Sequence, residues 1–159
     1  MKEQEWLENL VFIQDSREQR GFEFAGRKIE IAALPVGDYS IKGLHERPEI
    51  SLERKSLDDL ASSLSSGRSR FERELEKARN LCRYFSIIIE GSLDDIVKHK
   101  YRSEMQPKAI VQSLACYSVR FDIPIWFCGS RSYAERITES LLDKYAREFF
   151  KKYDLLIKG

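Results

Sequence analysis

Two short runs hold the residues whose types and spacing can do chemistry. Val36-Gly37-Asp38-Tyr39 puts one aspartate at the start of a β-run, and Ser51-Leu52-Glu53-Arg54-Lys55-Ser56-Leu57-Asp58-Asp59 ends the next run on a Glu-x-Lys triplet before a helix. Strand alternation places Glu53 and Lys55 on one face and Arg54 on the other. A hairpin between the runs brings Asp38 beside Glu53. Two carboxylates and a lysine on one surface can hold a hard divalent cation next to an anionic substrate. Asp15-Ser16-Arg17-Glu18, closing an earlier apolar run, offers a second acidic pair for the same place. Acids gathered beside a buried sheet repel one another, and one lysine compensates only in part, so Mg2+ or Mn2+ is the expected counter-ion. The Arg54 backbone carbonyl is a further candidate ligand, since that role asks for no particular side chain.

Gly37-Asp38, a variable gap, Glu53-Arg54-Lys55 and, after three residues, Asp59 resemble the signature of the XPF-type structure-specific endonucleases. Asp15-x-Arg17-Glu18 resembles that family's upstream acidic motif, and Ser66-Gly67-Arg68 the small-Gly-Arg turn after its first helix. The resemblance is dense from Val11 to Phe71 and only architectural beyond. It implies an α/β, restriction-endonuclease-like fold: a mixed central sheet flanked by helices. In chemical terms Asp38, Glu53 and the Arg54 carbonyl hold the metal, and Asp15 or Glu18 completes the shell or supports a second cation. Lys55 orients the attacking water or stabilises developing charge. Asp59 is a supporting residue that also reads as a helix-capping acid. Arg17, Arg68 and Arg70 are the expected DNA contacts, the last two because they flank a helix N-terminus, where backbone N–H groups favour phosphate. The implied substrate is branched, flap or fork DNA. The rival reading is a non-catalytic DNA-binding or scaffold partner with a nuclease-like fold. Against it, a pseudo-nuclease has no chemical reason to keep mutually repelling acids.

A chain of 159 residues predicts a single nuclease domain over 1–159 with residues 1–10 as a lead-in. No helix-hairpin-helix repeat or helicase region is visible. Hydrophobic and charged fractions of 42% and 33% place it among globular, water-soluble chains. No apolar run approaches the roughly 20 residues that cross a bilayer. The acidic N-terminus is unlike a secretory signal, so the expected place is inside the cell, the cytoplasm of a prokaryote or the nucleus of a eukaryote. Cys82, Cys116 and Cys128 are too scattered for a zinc site and read as reduced, apolar residues. With 27 basic and 26 acidic residues there is no general basic excess, which predicts modest DNA affinity assisted by local patches or a second subunit.

Along the chain, Val11-Phe12-Ile13, Lys28 to Ala33, Tyr39-Ser40-Ile41, Ile50 to Glu53, Phe85 to Ile89 and Ile123 to Cys128 read as strands, Phe85 to Ile89 being central and buried on both faces. Ser56, Ser92 and Ser130 are N-caps, and Pro107 opens a helix. The last helix is expected to bury Tyr133, Ile137, Leu141, Tyr145 and Phe149 along one side. Its adjacent aromatics Phe149 and Phe150, with Tyr153 and Leu155-Leu156-Ile157 beyond, occupy more than one face, which predicts a homodimer through the C-terminal helices, or a heterodimer. The resemblance implies the same pairing.

Overall fold

The computed structural model describes residues 2–158. A short helix α1 (Glu3–Glu8) leads into strands β1 (Val11–Asp15), β2 (Lys28–Ala32), β3 (Tyr39–Ile41) and β4 (Ile50–Ser56). Helices α2 (Leu57–Leu64) and α3 (Arg68–Leu81), strand β5 (Tyr84–Glu90), helices α4 (Leu93–Val97) and α5 (Pro107–Phe121), strand β6 (Ile125–Phe127) and helix α6 (Arg131–Lys158) follow. The six strands form one sheet in the order β2-β1-β3-β4-β5-β6. Strand β3 is antiparallel to both neighbours and every other pairing is parallel, so β3 alone runs against the rest. That reversal brings the start of β3, next to Asp38, to the same end of the sheet as the C-termini of β1, β4 and β5.

Local chemistry explains these elements. Strand β5 carries apolar side chains on both faces because helices cover it on both, and its residues 85–89 are buried. The flanking strands β2 and β6 are edges, and they leave Ile31 and Trp126 exposed. Ser56, Ser92 and Ser130 each accept a backbone N–H three residues on, as the capping pattern predicts. Phe22-Glu23-Phe24 is not a strand; both phenylalanines are buried under the sheet, where Phe22 stacks on Tyr39 at 5.0 Å between ring centres.

Two apolar layers result. Ile87 and Ile89 face α2, α3 and α5 through Leu60, Leu64, Phe71, Leu75 and Leu114. On the other side Ile50, Leu52 and Ile88 face α1 and α6. Helix α6 differs from its expected packing: its fully buried line is Ala134, Thr138, Leu142 and Ala146, one position round from the aromatic side, and Tyr133 is exposed. Small residues let the helix axis approach the sheet closely, with Ile137, Leu141 and Tyr145 wedged at its flanks. The aromatic excess that suggested a partner is covered in part within the chain, since Phe150 packs on Trp6 of α1 with ring centres 5.6 Å apart. Tyr153, Leu155, Leu156 and Ile157 remain exposed.

Arg27 ties these pieces together. Its guanidinium donates to Asp143 (2.6 Å), Glu139 (3.5 Å) and the Leu7 carbonyl (3.0 Å), and it lies over the Phe12 ring.

Gly37 is the one glycine on which the site depends. Its φ is +78°, and a Cβ there would stand 2.1 Å from Ser51 Oγ and 3.2 Å from the Leu52 carbonyl oxygen. The Ser51 hydroxyl has little freedom to give way, because it donates to the Val36 carbonyl at 2.6 Å. Gly37→Ala should therefore cost about 1–3 kcal/mol from backbone strain and the clash, read as a lower urea midpoint. An unchanged midpoint would mean that the turn relaxes freely.

Candidate active site

Asp38 is placed by backbone alone. Its N–H donates to the Leu52 carbonyl and its carbonyl accepts from Asp15 N–H, each at 2.8 Å, so it bridges β1 and β4. The Tyr39–Leu52 register sets it opposite Glu53. One carboxylate oxygen, Oδ2, accepts the Arg54 N–H at 2.8 Å. The N–H and C=O of one strand residue point to the same edge, so the Arg54 carbonyl also faces the Asp38 side.

Alternation along β4 divides the triplet as the spacing predicts. Glu53 and Lys55 lie on the face of Ile87 and Ile89, and Arg54 lies on the face of Ile88. Lys55 Nζ is 3.5 Å from Glu53 and 4.8 Å from the centre of the Phe71 ring, so an anion and an aromatic face hold it at the mouth of the site. Two clefts, of about 320 and 370 Å3, share Arg17, Asp38, Glu53 and Lys55. Helix α3 walls one through Arg70, Glu74 and Lys77; Glu18, Gln19 and Arg20, with Asp59 of α2, wall the other.

The electrostatics of the pair are unfavourable as it stands. Burial pushes the Asp38 carboxyl up to about 6, and the nearby Glu18 and Asp15 charges add to this against the opposing Arg54 N–H and Lys55. Burial and then the Asp38 charge push Glu53 up to about 8, with Lys55 opposing. Full ionisation of both carboxyls at neutral pH is therefore unfavourable unless a further positive charge joins them.

Asp15 and Glu18, expected in the cation shell, line the clefts, and each already has a cationic partner. Asp15 is buried and accepts from Arg17 Nε (2.7 Å), Arg17 N–H (3.1 Å) and Leu34 N–H (2.8 Å). Burial works against its ionisation, but these donors outweigh it and hold the carboxyl below its usual range. Glu18 turns to the opposite face of β4, where it pairs with Arg54 Nη1 at 3.0 Å. Among the described residues no three His, Cys, Asp or Glu side chains gather as a metal cage. Asp38 and Glu53, each with one protein partner, face both clefts, and the Arg54 carbonyl lies on the Asp38 side.

The three expected DNA contacts part company. Arg17 and Arg70 are exposed at the clefts, each with one acidic partner. Arg68 is instead a brace between helices: it donates to Leu64 O (3.2 Å) and Ser113 Oγ (2.9 Å), pairs with Glu72 and lies over the Tyr117 ring. Its Nη1 and Nε are thus engaged within the chain, although the side chain is 40% exposed. Asp59 is exposed at the rim beside Lys55, and its backbone N–H, not its carboxylate, makes the cap to Ser56.

Residues that the motif reading missed include Glu74 and Lys77, whose signal was present. Arg70, Glu74 and Lys77 recur at i, i+4 and i+7, a polar stripe beside the apolar Phe71–Leu75–Ala78 line. Glu90 was also missed. It ends β5 opposite Ser56 in the parallel ladder and receives Arg54 Nε.

This geometry sits within a matched family. Residues 11–141 match the family model described as the ERCC4 domain. The chain belongs to the ERCC4 domain family. As an XPF-type nuclease domain it is similar to the 3'-flap repair endonuclease Xpf of Saccharolobus solfataricus (strain ATCC 35092 / DSM 1617 / JCM 11322 / P2), 23% identical over 122 residues that cover 76% of this chain and 47% of that protein. It thus spans about half the length of the curated relative. In structure it resembles XPF from Aeropyrum pernix, with a TM-score of 0.69 at 23% identity over 92% of this chain and 71% of the other. The same protein in complex with DNA gives 0.68 at 23% identity over 87% and 66%. These likenesses bear out the expected restriction-endonuclease-like fold. No helix among the described residues is long and apolar enough to cross a membrane.

Proposed function

We propose that this ERCC4 domain is a metal-dependent endonuclease that hydrolyses phosphodiester bonds in branched, flap or fork DNA. The observation that carries the reading is the half-buried Asp38–Glu53 pair, which resists full ionisation and opens to two clefts beside Lys55. Membership in the family supports the reaction class, and the relatives' titles, a 3'-flap repair endonuclease and an XPF bound to DNA, support the substrate class.

The donor set fits Mg2+ or Mn2+. Two carboxylates and one carbonyl are few protein ligands, as suits a cation that keeps several waters and takes up substrate phosphate oxygens. Such a cation supplies Lewis acidity to an in-line displacement at phosphorus. The chain's own residues do the rest. Asp38, just before β3, and Glu53 of β4 would hold the cation, and Gly37 lets the turn that carries Asp38 close against Ser51. Lys55, pinned by Glu53 and the Phe71 ring, presents its ammonium to the negative charge that builds on the phosphoryl group. Arg17 and Arg70 receive the flanking backbone.

Cleavage of flap, fork, Holliday-junction and duplex DNA in Mg2+, Mn2+ and EDTA tests this. Cutting confined to the metal-containing reactions and to structured substrates is expected. DNA binding without cutting in either metal would favour the non-catalytic partner. Lys55→Ala should lower kcat by about 10²–10³-fold with little change in DNA affinity. An equal loss in affinity would make it a plain binding residue.

Self-association through α6 belongs to the same proposal. It rests now on Tyr153, Leu155, Leu156 and Ile157, which are exposed, rather than on Phe150, which meets Trp6. Light scattering across a concentration series should show a dimer that Leu156→Glu dissociates; a strict monomer would refute it.

A further inference from the structure

The cations around the two clefts differ in one respect that bears on how a DNA strand lies. Arg17 is paired with Asp15, Lys55 with Glu53, Arg70 with Glu74, and Arg54 with Glu18 and Glu90. Each is neutralised by a carboxylate of the site itself. Arg20 and Lys77 are different: among the described residues neither side chain enters an ion pair or a hydrogen bond, and both are exposed. Each lines one cleft only, Lys77 the one walled by α3 and Arg20 the one walled by the loop after β1. Asp38, Glu53 and Lys55, common to both clefts, lie between them.

Arg20 is also held in place. Its backbone carbonyl accepts from Arg54 Nη1 and from Arg131 Nη2, both at 2.8 Å, and Arg131 Nη2 holds the Gly21 carbonyl at the same distance. The two guanidiniums lie over the Phe22 ring, at 5.0 and 5.2 Å from its centre. A strand-borne arginine and one from the start of α6 thus fix the backbone of Arg20 while its own guanidinium stays free. Lys77 gains similar definition from a helix, two turns beyond Arg70 on the same stripe.

Cations that no carboxylate neutralises draw a polyanion toward an acidic centre most strongly. We propose that one DNA strand crosses the centre from cleft to cleft, with Lys77 holding the backbone on one side of the scissile bond and Arg20 holding it on the other. A strand lying along a single cleft would use only one of them. This inference rests on the reading of the domain as a DNA nuclease.

Binding of a fluorescein-labelled flap with a single-stranded arm, measured by anisotropy in EDTA across a salt series, reads the contacts without cleavage. Arg20→Ala and Lys77→Ala should each lower the slope of log affinity against log salt by about 0.7, the value for one phosphate on a single strand, and the double variant by about twice that. Arg20→Lys and Lys77→Arg should restore it. Lys28→Ala, at the far end of edge strand β2, should leave it unchanged. Replacing phosphates one at a time by neutral methylphosphonates should silence the Arg20 and Lys77 effects at positions on opposite sides of the cut.

Wild-type slopes in both alanine variants, an equal drop in Lys28→Ala, or silencing on one side only would overturn the strand path and leave the nuclease reading intact. A wild-type protein that binds no DNA would overturn both. Binding with the expected slopes but without cutting in metal would remove the nuclease reading and, with it, a path defined by the scissile bond.

Discussion

Glu53→Gln and Asp38→Asn should each abolish metal-stimulated cleavage, by about 10³-fold or more, and should each make the metal-free protein more stable. The second effect follows from the first residue pair's environment. Both carboxyls are pushed up by burial, Asp38 from 3.8 to about 6 and Glu53 from 4.5 to about 8. A folded-state value above the unfolded one means that the native protein binds the proton more readily. The pair's favourable contribution is present below the unfolded values and is lost as pH rises through the folded ones. In EDTA the wild type should lose thermal stability between about pH 4 and pH 8, and Glu53→Gln should flatten that fall. For a chain of this size each kcal/mol recovered is worth about 2–4 °C in Tm. Added Mg2+ should raise the wild-type Tm at pH 8 and leave Glu53→Gln nearly unmoved. Cleavage by Glu53→Gln at the wild-type rate, or a Tm in EDTA that is level across this range, would show that the pair is not the metal-demanding centre.

Arg54→Ala should damage the fold severely. Its guanidinium serves Glu18, Glu90 and the Arg20 carbonyl, and it lies over Phe22. Removing it strands Glu18 and leaves Glu90 only the longer pairing to Arg131 at 3.9 Å, and each carboxylate side chain is only 12% exposed. Breaking a buried ion pair from one side costs about 3–5 kcal/mol, so Tm should fall by on the order of 10 °C. Arg54→Lys should rescue little, because a single ammonium cannot reach three acceptors and stack on a ring at once. The triple change Arg54→Met, Glu18→Gln, Glu90→Gln should recover most of the loss, since it removes the charges together. A loss below about 1 kcal/mol for Arg54→Ala would assign these pairs to the ordinary solvated class. The loop of residues 18–21 should also loosen, visible as faster amide exchange there.

The sequence by itself determined the parts whose physics is local. Period-two alternation is a property of any extended chain, so Glu53 and Lys55 had to share a face and Arg54 had to leave it, whatever lay around them. Serine caps, the apolar run of β5 and the tight Gly37 turn were legible for the same reason. The motifs carried the family, which the match over residues 11–141 bears out. What only the tertiary structure decided was the pairing of charges across distance. Nothing in Asp15-Ser16-Arg17-Glu18 says that Arg17 folds back on Asp15 while Glu18 crosses to Arg54, since that depends on β1 lying beside β3. Its place at a helix start predicts Arg68 as a phosphate contact, whereas its partners Ser113 and Tyr117 come from the distant α5. The buried line of α6 fell on Ala134, Thr138, Leu142 and Ala146 because the sheet rewards close approach, and hydrophobicity summed along a helix does not report how near its axis can come to a neighbour. Ionisable side chains are long, and several partners lie within reach of each. Which partner is met is set by the packing of distant segments, and that information exists only once the chain has folded.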